Sequence, residues 1–368
     1  MLFGSQRGDL NWAQDEAKKL FHQNGTKPKV LSSQNFSTFI AELRYAAKLI
    51  GEEKEIILFA TLQWIVIATA YVMWTAILDW IPDNLWEEAR RSNENNEDGS
   101  FTLINLVLLG WSFFVIVVAT YPISLLNAAI TTAHYLRSSG QSSTISKCIT
   151  LAFSNLAQLW IFTVIDAWIT VMAILDRLPK KRGRNKRTAA DEVAYYAWKI
   201  GTIGMLPALV AGNNFVEAAK NSILLLREQP ARSIGIRMGY SLLCWIIGIG
   251  AFFMTMLYLT ASNAHDIETD RVYHFYLTAA FPIVIAIGII AVLLRPFFLI
   301  MVASLYTDVL PQDGRSAEVR VGNKANTLNI FFFLALFTLC TMYFLGDQLG
   351  LRDWIEALAS KDLANNLR

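Results

Sequence analysis

Seven long apolar blocks separated by short polar loops make up most of this chain. Several reach the roughly 20 residues that a helix needs to cross the hydrocarbon core of a bilayer, with almost no charge inside them. In lipid every backbone polar group must be satisfied within its own segment, so such blocks are expected to be helices. The fold class that follows is all-α: a polytopic transmembrane helix bundle of about 5 to 7 spans with interfacial amphipathic helices. Composition agrees, because 54% of residues are hydrophobic and 17% charged, and 22 Phe, 12 Tyr and 11 Trp supply interfacial anchors. A net charge of +2 is too small to argue for nucleic acid as a partner.

The blocks lie near Ile56 to Ile81, Leu103 to Thr132, Ile149 to Leu175, Ala197 to Ala211, Ser233 to Ala261, Phe275 to Tyr306 and Thr327 to Leu345. The first begins behind a polar segment of more than fifty residues, so no cleavable signal peptide is expected. The loop from Pro82 to Ser100 has six acidic residues against Arg90 and Arg91, and the loop from Asn263 to His274 is also net acidic. Both read as external. The stretches holding Arg137 and Lys147, and Lys220, Arg227, Arg232 and Arg237, are net basic and read as cytoplasmic under the positive-inside bias. This places the amino terminus in the cytoplasm. Three regions follow: a cytoplasmic or interfacial segment 1–54, a membrane domain 55–346 and a terminal amphipathic helix 347–368.

One loop breaks the pattern. From Arg177 to Arg187 there are seven Lys or Arg in eleven residues and no acid. Seven full crossings put this loop outside; a hairpin of blocks three and four that enters from the cytoplasm and returns leaves every other loop where it is. Block three suits shielded placement, since Asn155, Gln158, Asp166 and Thr170 lie along one face, and block four is short, with Gly201, Gly204 and Pro207.

Arg295, followed by Pro296, stands inside block six among Leu293, Leu294, Phe297 and Phe298. An intramembrane Arg is costly and usually faces a polar interior; its bland alternative is to snorkel to the headgroups beside a proline kink. Counting residues from the cytoplasmic side puts Gln63, Asn155 and Gln158 at about the depth of Arg295, with Asp166 roughly two turns deeper. The expected polar cluster is therefore Arg295, Gln63, Asn155 and Gln158, with Asp166 as counter-ion. Lys180, Lys181, Arg182, Arg184, Lys186 and Arg187, with Lys220 and Arg227, are candidate contacts for anionic lipid.

Other features carry less. Pro122, Pro207, Pro282 and Pro296 interrupt four blocks, which suits either packing or a transport path. Gly235 and Gly239 form a small-residue face, a packing signal. Cys148, Cys244 and Cys340 lie far apart in or beside apolar blocks and read as small hydrophobes. His265 and His274 flank three acids without metal-ligand spacing, and His22 and His134 are isolated. No catalytic, cofactor-binding or metal site can be assembled, so no cofactor is expected.

From Ala197 the chain reads AWKIGTIGMLPALVAGNNFVEAAKNSILLLREQPARSIGIRMGYSLL. This resembles bacterial polytopic membrane proteins of unknown function, and membrane domains that accompany glycerophosphodiester phosphodiesterases. The residues carrying the resemblance are Trp198, Pro207, Leu209, Val210, Ala218, Lys220, Ser222, Leu225 and Arg227, with Gly140, Ser142 and Ser146 before the third block. It covers Ile56 to about Leu310 and departs at Gly212, Asn213 and Asn214, where those proteins often carry an acid and Gly-Pro. The resemblance implies architecture and no activity and, with no targeting peptide expected, the cell inner (cytoplasmic) membrane.

Four further segments read as amphipathic helices: Leu10 to His22; Phe36 to Ile50, with Phe36, Phe39, Ile40, Leu43, Ala47 and Ile50 on one face; Phe215 to Arg227; and Leu351 to Leu363. The last two are candidate lateral contact surfaces. Together with the small-residue faces and the Lys/Arg loop, they favour a non-enzymatic organiser of protein partners or lipids, with membrane proteins or a second copy of the chain as the partners. The alternative is a carrier or channel for a small solute, ion or lipid through the cluster at Arg295.

Overall fold

The computed structural model describes residues 33–81, 103–153, 155–175, 189–261, 272–309, 325–346 and 348–350, with positions 353 and 357. The expected helix at Leu10 to His22, the acidic loop from Pro82, the basic run Arg177 to Arg187, the His265 loop and most of the helix from Leu351 lie outside them. The described residues form helices and no strands: α1 (Ser33–Glu52), α2 (Lys54–Trp80), α3 (Leu103–Ser138), α4 (Ile145–Phe153), α5 (Leu156–Leu175), α6 (Ala189–Gly201), α7 (Met205–Val210), α8 (Phe215–Glu228), α9 (Pro230–Ala261), α10 (Val272–Ile289), α11 (Arg295–Val309) and α12 (Ala325–Leu345). A π-helical turn, Ile290–Leu294, joins α10 to α11.

Among the described residues, four segments are long and apolar enough to cross a membrane: Lys54–Leu78, Val107–Ser138, Pro230–Ala261 and Phe281–Val309. A fifth counts if α4 and α5, bent by 80° at their break, are one span, and Phe332–Leu345 is a shorter apolar helix.

Ion pairs gather several helix termini at one end. Arg137, at the end of α3, reaches Glu52 and Glu53 before α2, each at 3.4 Å. Arg232, at the start of α9, pairs with Glu42 of α1 and with Asp308 at the end of α11, the latter at 2.8 Å. The start of α2, the end of α3, the start of α9 and the end of α11 therefore share the end where α1 docks. Burial and the charges of Asp308, Glu42 and Glu52 push the Tyr45 phenol above its ordinary range, so it stays neutral there. The larger core lies towards this end and includes Phe59, Ile130, Leu209, Ile300 and Leu305. A smaller aromatic core, with Trp80, Trp111, Tyr121 and Phe332, joins the other half of α2 and α3 to α12.

Helix α1 packs on the underside of the bundle, burying Phe39, Ala46 and Leu49. The expected face is rotated by about one residue: Ala47 is exposed and Ala46 is buried. Phe39 covers Gly239 of α9 so closely that a Cβ there would come within 2.6 Å of its ring. The residue on α9 that admits α1 is thus the second glycine of the small-residue pair.

Blocks three and four form an antiparallel pair against α3. Asp166 of α5 meets Lys199 of α6, and Asn155, just before α5, donates to the Leu209 carbonyl of α7 at 3.0 Å. Partner numbers fall as residue numbers rise, which is the signature of a return. Trp160 donates to the Val117 carbonyl at 2.9 Å, near Pro122, and Trp168 meets Phe113 edge to face. Helix α5 therefore runs away from the α1 end along α3.

Candidate functional site: a charged cavity between α5, α6, α9 and α11

Block four is not one helix. It breaks between Gly201 and Gly204, and the hydroxyl of Ser222 from α8 repairs the break by accepting from the Gly204 N–H at 2.9 Å and donating to the Gly201 carbonyl at 2.7 Å. A Cβ at Gly204 would meet the Ser222 Cα at 3.1 Å, so this close approach favours glycine. The Gly212-Asn213-Asn214 departure is the turn into α8. Gly212 has φ +92, Asn213 donates to the Ala208 carbonyl and the Tyr306 hydroxyl at 3.0 Å each, and Asn214 with Glu217 forms a capping box. Helix α8, expected as a lateral contact surface, packs one of its faces within the bundle: Ala218, Ser222 and Leu225 are buried. Val216, Lys220, Leu224 and Arg227 are exposed and fall on another face at helical spacing.

The broken block brings Trp198 and Lys199 beside Asp166. Lys199 Nζ lies 2.6 Å from Asp166 Oδ1, and the Trp198 indole donates to the same oxygen at 3.2 Å. This pair forms one wall of a cavity of about 40 Å³, which Arg237 of α9 and Arg295 of α11 complete with Phe162, Pro207, Phe298 and Leu299. The Arg237 guanidinium lies 5.4 Å from the centre of the Phe298 ring and 5.9 Å from that of Tyr240. Arg295 lies 5.8 Å from the Phe298 ring, and its Nε approaches Asn127 Oδ1 at 3.5 Å. That oxygen also accepts from Gln63 Nε2 at 3.0 Å, which ties α2, α3 and α11 together.

Helix rise sets the depth. At 1.5 Å per residue from the α1 end, Arg237 sits about 10 Å in, Gln63 about 14 Å, Asn127 about 17 Å and Arg295 about 21 Å. The π turn accounts for Arg295. Pro296 has no N–H to continue an α-helix, and the Arg295 N–H instead bonds the Ile290 carbonyl, five residues back. An inserted turn of this kind re-aims the side chain that follows it, and such turns recur at functional sites.

The structure thus brings together Arg295, Gln63 and Asp166, the first two through Asn127. It does not bring in Asn155, which caps Leu209, or Gln158, whose buried Oε1 has no hydrogen-bond partner among the described residues. The depth count assumed one straight helix through block three; the break before α5 moves Asn155 and Gln158 off the cluster and lets Asp166 share the cavity. Asn127, Trp198, Lys199 and Arg237 are the members that sequence reasoning missed. Their signal was present: Asn127 and Lys199 are polar residues inside apolar blocks, and Arg237 lies within block five although it was counted with a loop.

Residues 104–317 match the model of DUF6159, a family of unknown function. The chain belongs to that family. No curated protein and no solved structure matches it. DUF6159 supports the part of the resemblance that concerns a family of unknown function and gives no link to domains accompanying phosphodiesterases. Every residue lining the cavity falls inside the DUF6159 region, whereas Gln63 and α1 lie before it.

Proposed function

We propose that the protein is a non-enzymatic, multi-pass protein of the inner membrane, with a cytoplasmic amino terminus, and that it binds and carries a small polar solute, ion or lipid headgroup at the Arg295 cavity. The charged cavity itself is the observation that supports this reading: four charged side chains share a small space within apolar helices. A charge at the centre of a membrane helix costs about 2.5 to 3.5 kcal/mol on insertion scales, and packing alone needs none of them. Under this reading, 1–54 is the cytoplasmic or interfacial segment, 55–346 the membrane domain and 347–368 a terminal amphipathic helix.

The test is thermal unfolding of the full-length protein in nanodiscs against a panel of small solutes, ions and lipids, with Arg295→Leu beside the wild type. Ligand-dependent stabilisation of the wild type that the variant loses, while its unliganded Tm stays within a few degrees, supports the site. A variant that is simply less stable, with no ligand response in either protein, overturns it.

A second reading, an organiser of lipids or protein partners, draws on the exposed face of α8. Val216 and Leu224 flank Lys220 and Arg227 there, a combination that suits an anionic membrane surface.

A further inference from the structure

The charges lining the cavity do not balance: Lys199, Arg237 and Arg295 face a single carboxylate, Asp166. Its Oδ1 already takes the Lys199 ammonium and the Trp198 indole, so one negative charge serves three cations. Among the described residues neither Arg237 nor Arg295 has a carboxylate partner. Arg237 rests against the rings of Tyr240 and Phe298, and Arg295 lies over the Phe298 ring with its Nε 3.5 Å from the Asn127 oxygen. Two guanidinium groups are therefore held in place within the bundle with no anionic acceptor among the described residues. Both are half-buried; cations without a counter-charge are costly within apolar helices, and a low-dielectric wall of Phe162, Pro207 and Phe298 strengthens their pull on any anion that enters.

Resting on the reading of this cavity as a ligand site, we infer that its ligand is an oxyanion of the phosphate type, either a free ion or the headgroup phosphate of an anionic lipid. The planar forks of two arginines match tetrahedral oxyanions by paired N–H···O bonds, which a halide or a cation cannot use. The size agrees. A space of about 40 Å³ has room for roughly three waters, at about 10 to 15 Å³ for each. This suits a compact charged head and leaves any larger remainder outside. Asp166 then has a second role: it holds Lys199 while the site is empty and repels the ligand when it arrives.

The experiment uses full-length protein in phosphatidylcholine nanodiscs, titrated with inorganic phosphate, sulfate, chloride, ammonium and glycerol. Native mass spectrometry of nanodiscs containing phosphatidylglycerol runs in parallel. Saturable stabilisation by phosphate and sulfate is expected, weakened at least tenfold by Arg237→Gln or Arg295→Gln and partly restored by the Lys variants. Asp166→Asn is expected to tighten phosphate at least threefold, a gain that a merely damaged fold does not give. One retained phosphatidylglycerol that phosphate displaces names the lipid as the source; phosphate binding with no retained lipid names the free ion. Arg-dependent binding of ammonium or glycerol without phosphate overturns the oxyanion inference and leaves the ligand site standing. No binding by any probe and no retained lipid overturns both.

Discussion

Between Arg295 and Val309, α11 buries nine of its fifteen side chains, whereas α9, with 32 residues, buries only Ser233 and Ile236. Each belongs to a segment long and apolar enough to cross a membrane, α11 as the second half of Phe281–Val309, and each supplies one arginine to the cavity. The difference lies in their neighbours. Helix α11 is the central post, in contact with α1, α3, α7 and α9. Helix α9 stands at the side and turns Trp245, Phe253 and Leu257 outward. Hydropathy measures fitness for an apolar environment and does not distinguish lipid from protein as that environment.

The comparison is broken most severely by deleting side chains from the post. Leu305 is fully buried, and Leu305→Ala should cost about 2 to 5 kcal/mol, read as thermal or denaturant unfolding in detergent. Next come the close approaches. A Cβ at Gly288 would lie 2.0 Å from the Trp64 indole, so Gly288→Ala should cost about 1 to 3 kcal/mol by forcing α10 from α2. Gly250 on α9 has nothing within 4 Å, and its alanine variant should unfold no earlier than the wild type, helix propensity adding up to about 1 kcal/mol. A smaller effect is expected at the α8 cap, where Asn214→Ala should cost about 1 kcal/mol in the same assay. Smallest is the outer face of α9: Leu257 is 65% exposed, and Leu257→Ala should stay within about 0.5 kcal/mol. If Leu257 and Leu305 cost the same, the distinction between post and flank is wrong.

The helices were legible because crossing a membrane is a length requirement that an apolar run meets or does not; α2 and α9 begin and end within a few residues of where the sequence placed them. Partners were not legible, because they depend on where helices break. Ser154 and Asn155 interrupt the apolar run without showing that the chain bends there, and Asp166, rather than Asn155 or Gln158, shares a cavity with Arg295. Pro296 did announce an irregularity beside Arg295. Its outcome, an inserted π turn, depends on packing against α2 and α9. The role of Ser222 was hidden for the same reason: it bridges a break in block four that only the folded chain contains.

The convergence of α5 and α6 at the cavity is the geometric claim on which the proposed function and its ligand depend, and a double-mutant cycle on Asp166→Asn and Lys199→Gln tests it most directly. With the two groups 2.6 Å apart and Lys199 buried, the cycle should return a coupling of at least about 1 kcal/mol, the double variant losing less than the sum of the singles. Additive losses, with a coupling under about 0.3 kcal/mol, would mean that α5 and α6 do not meet there, and the charged cavity would fall with them.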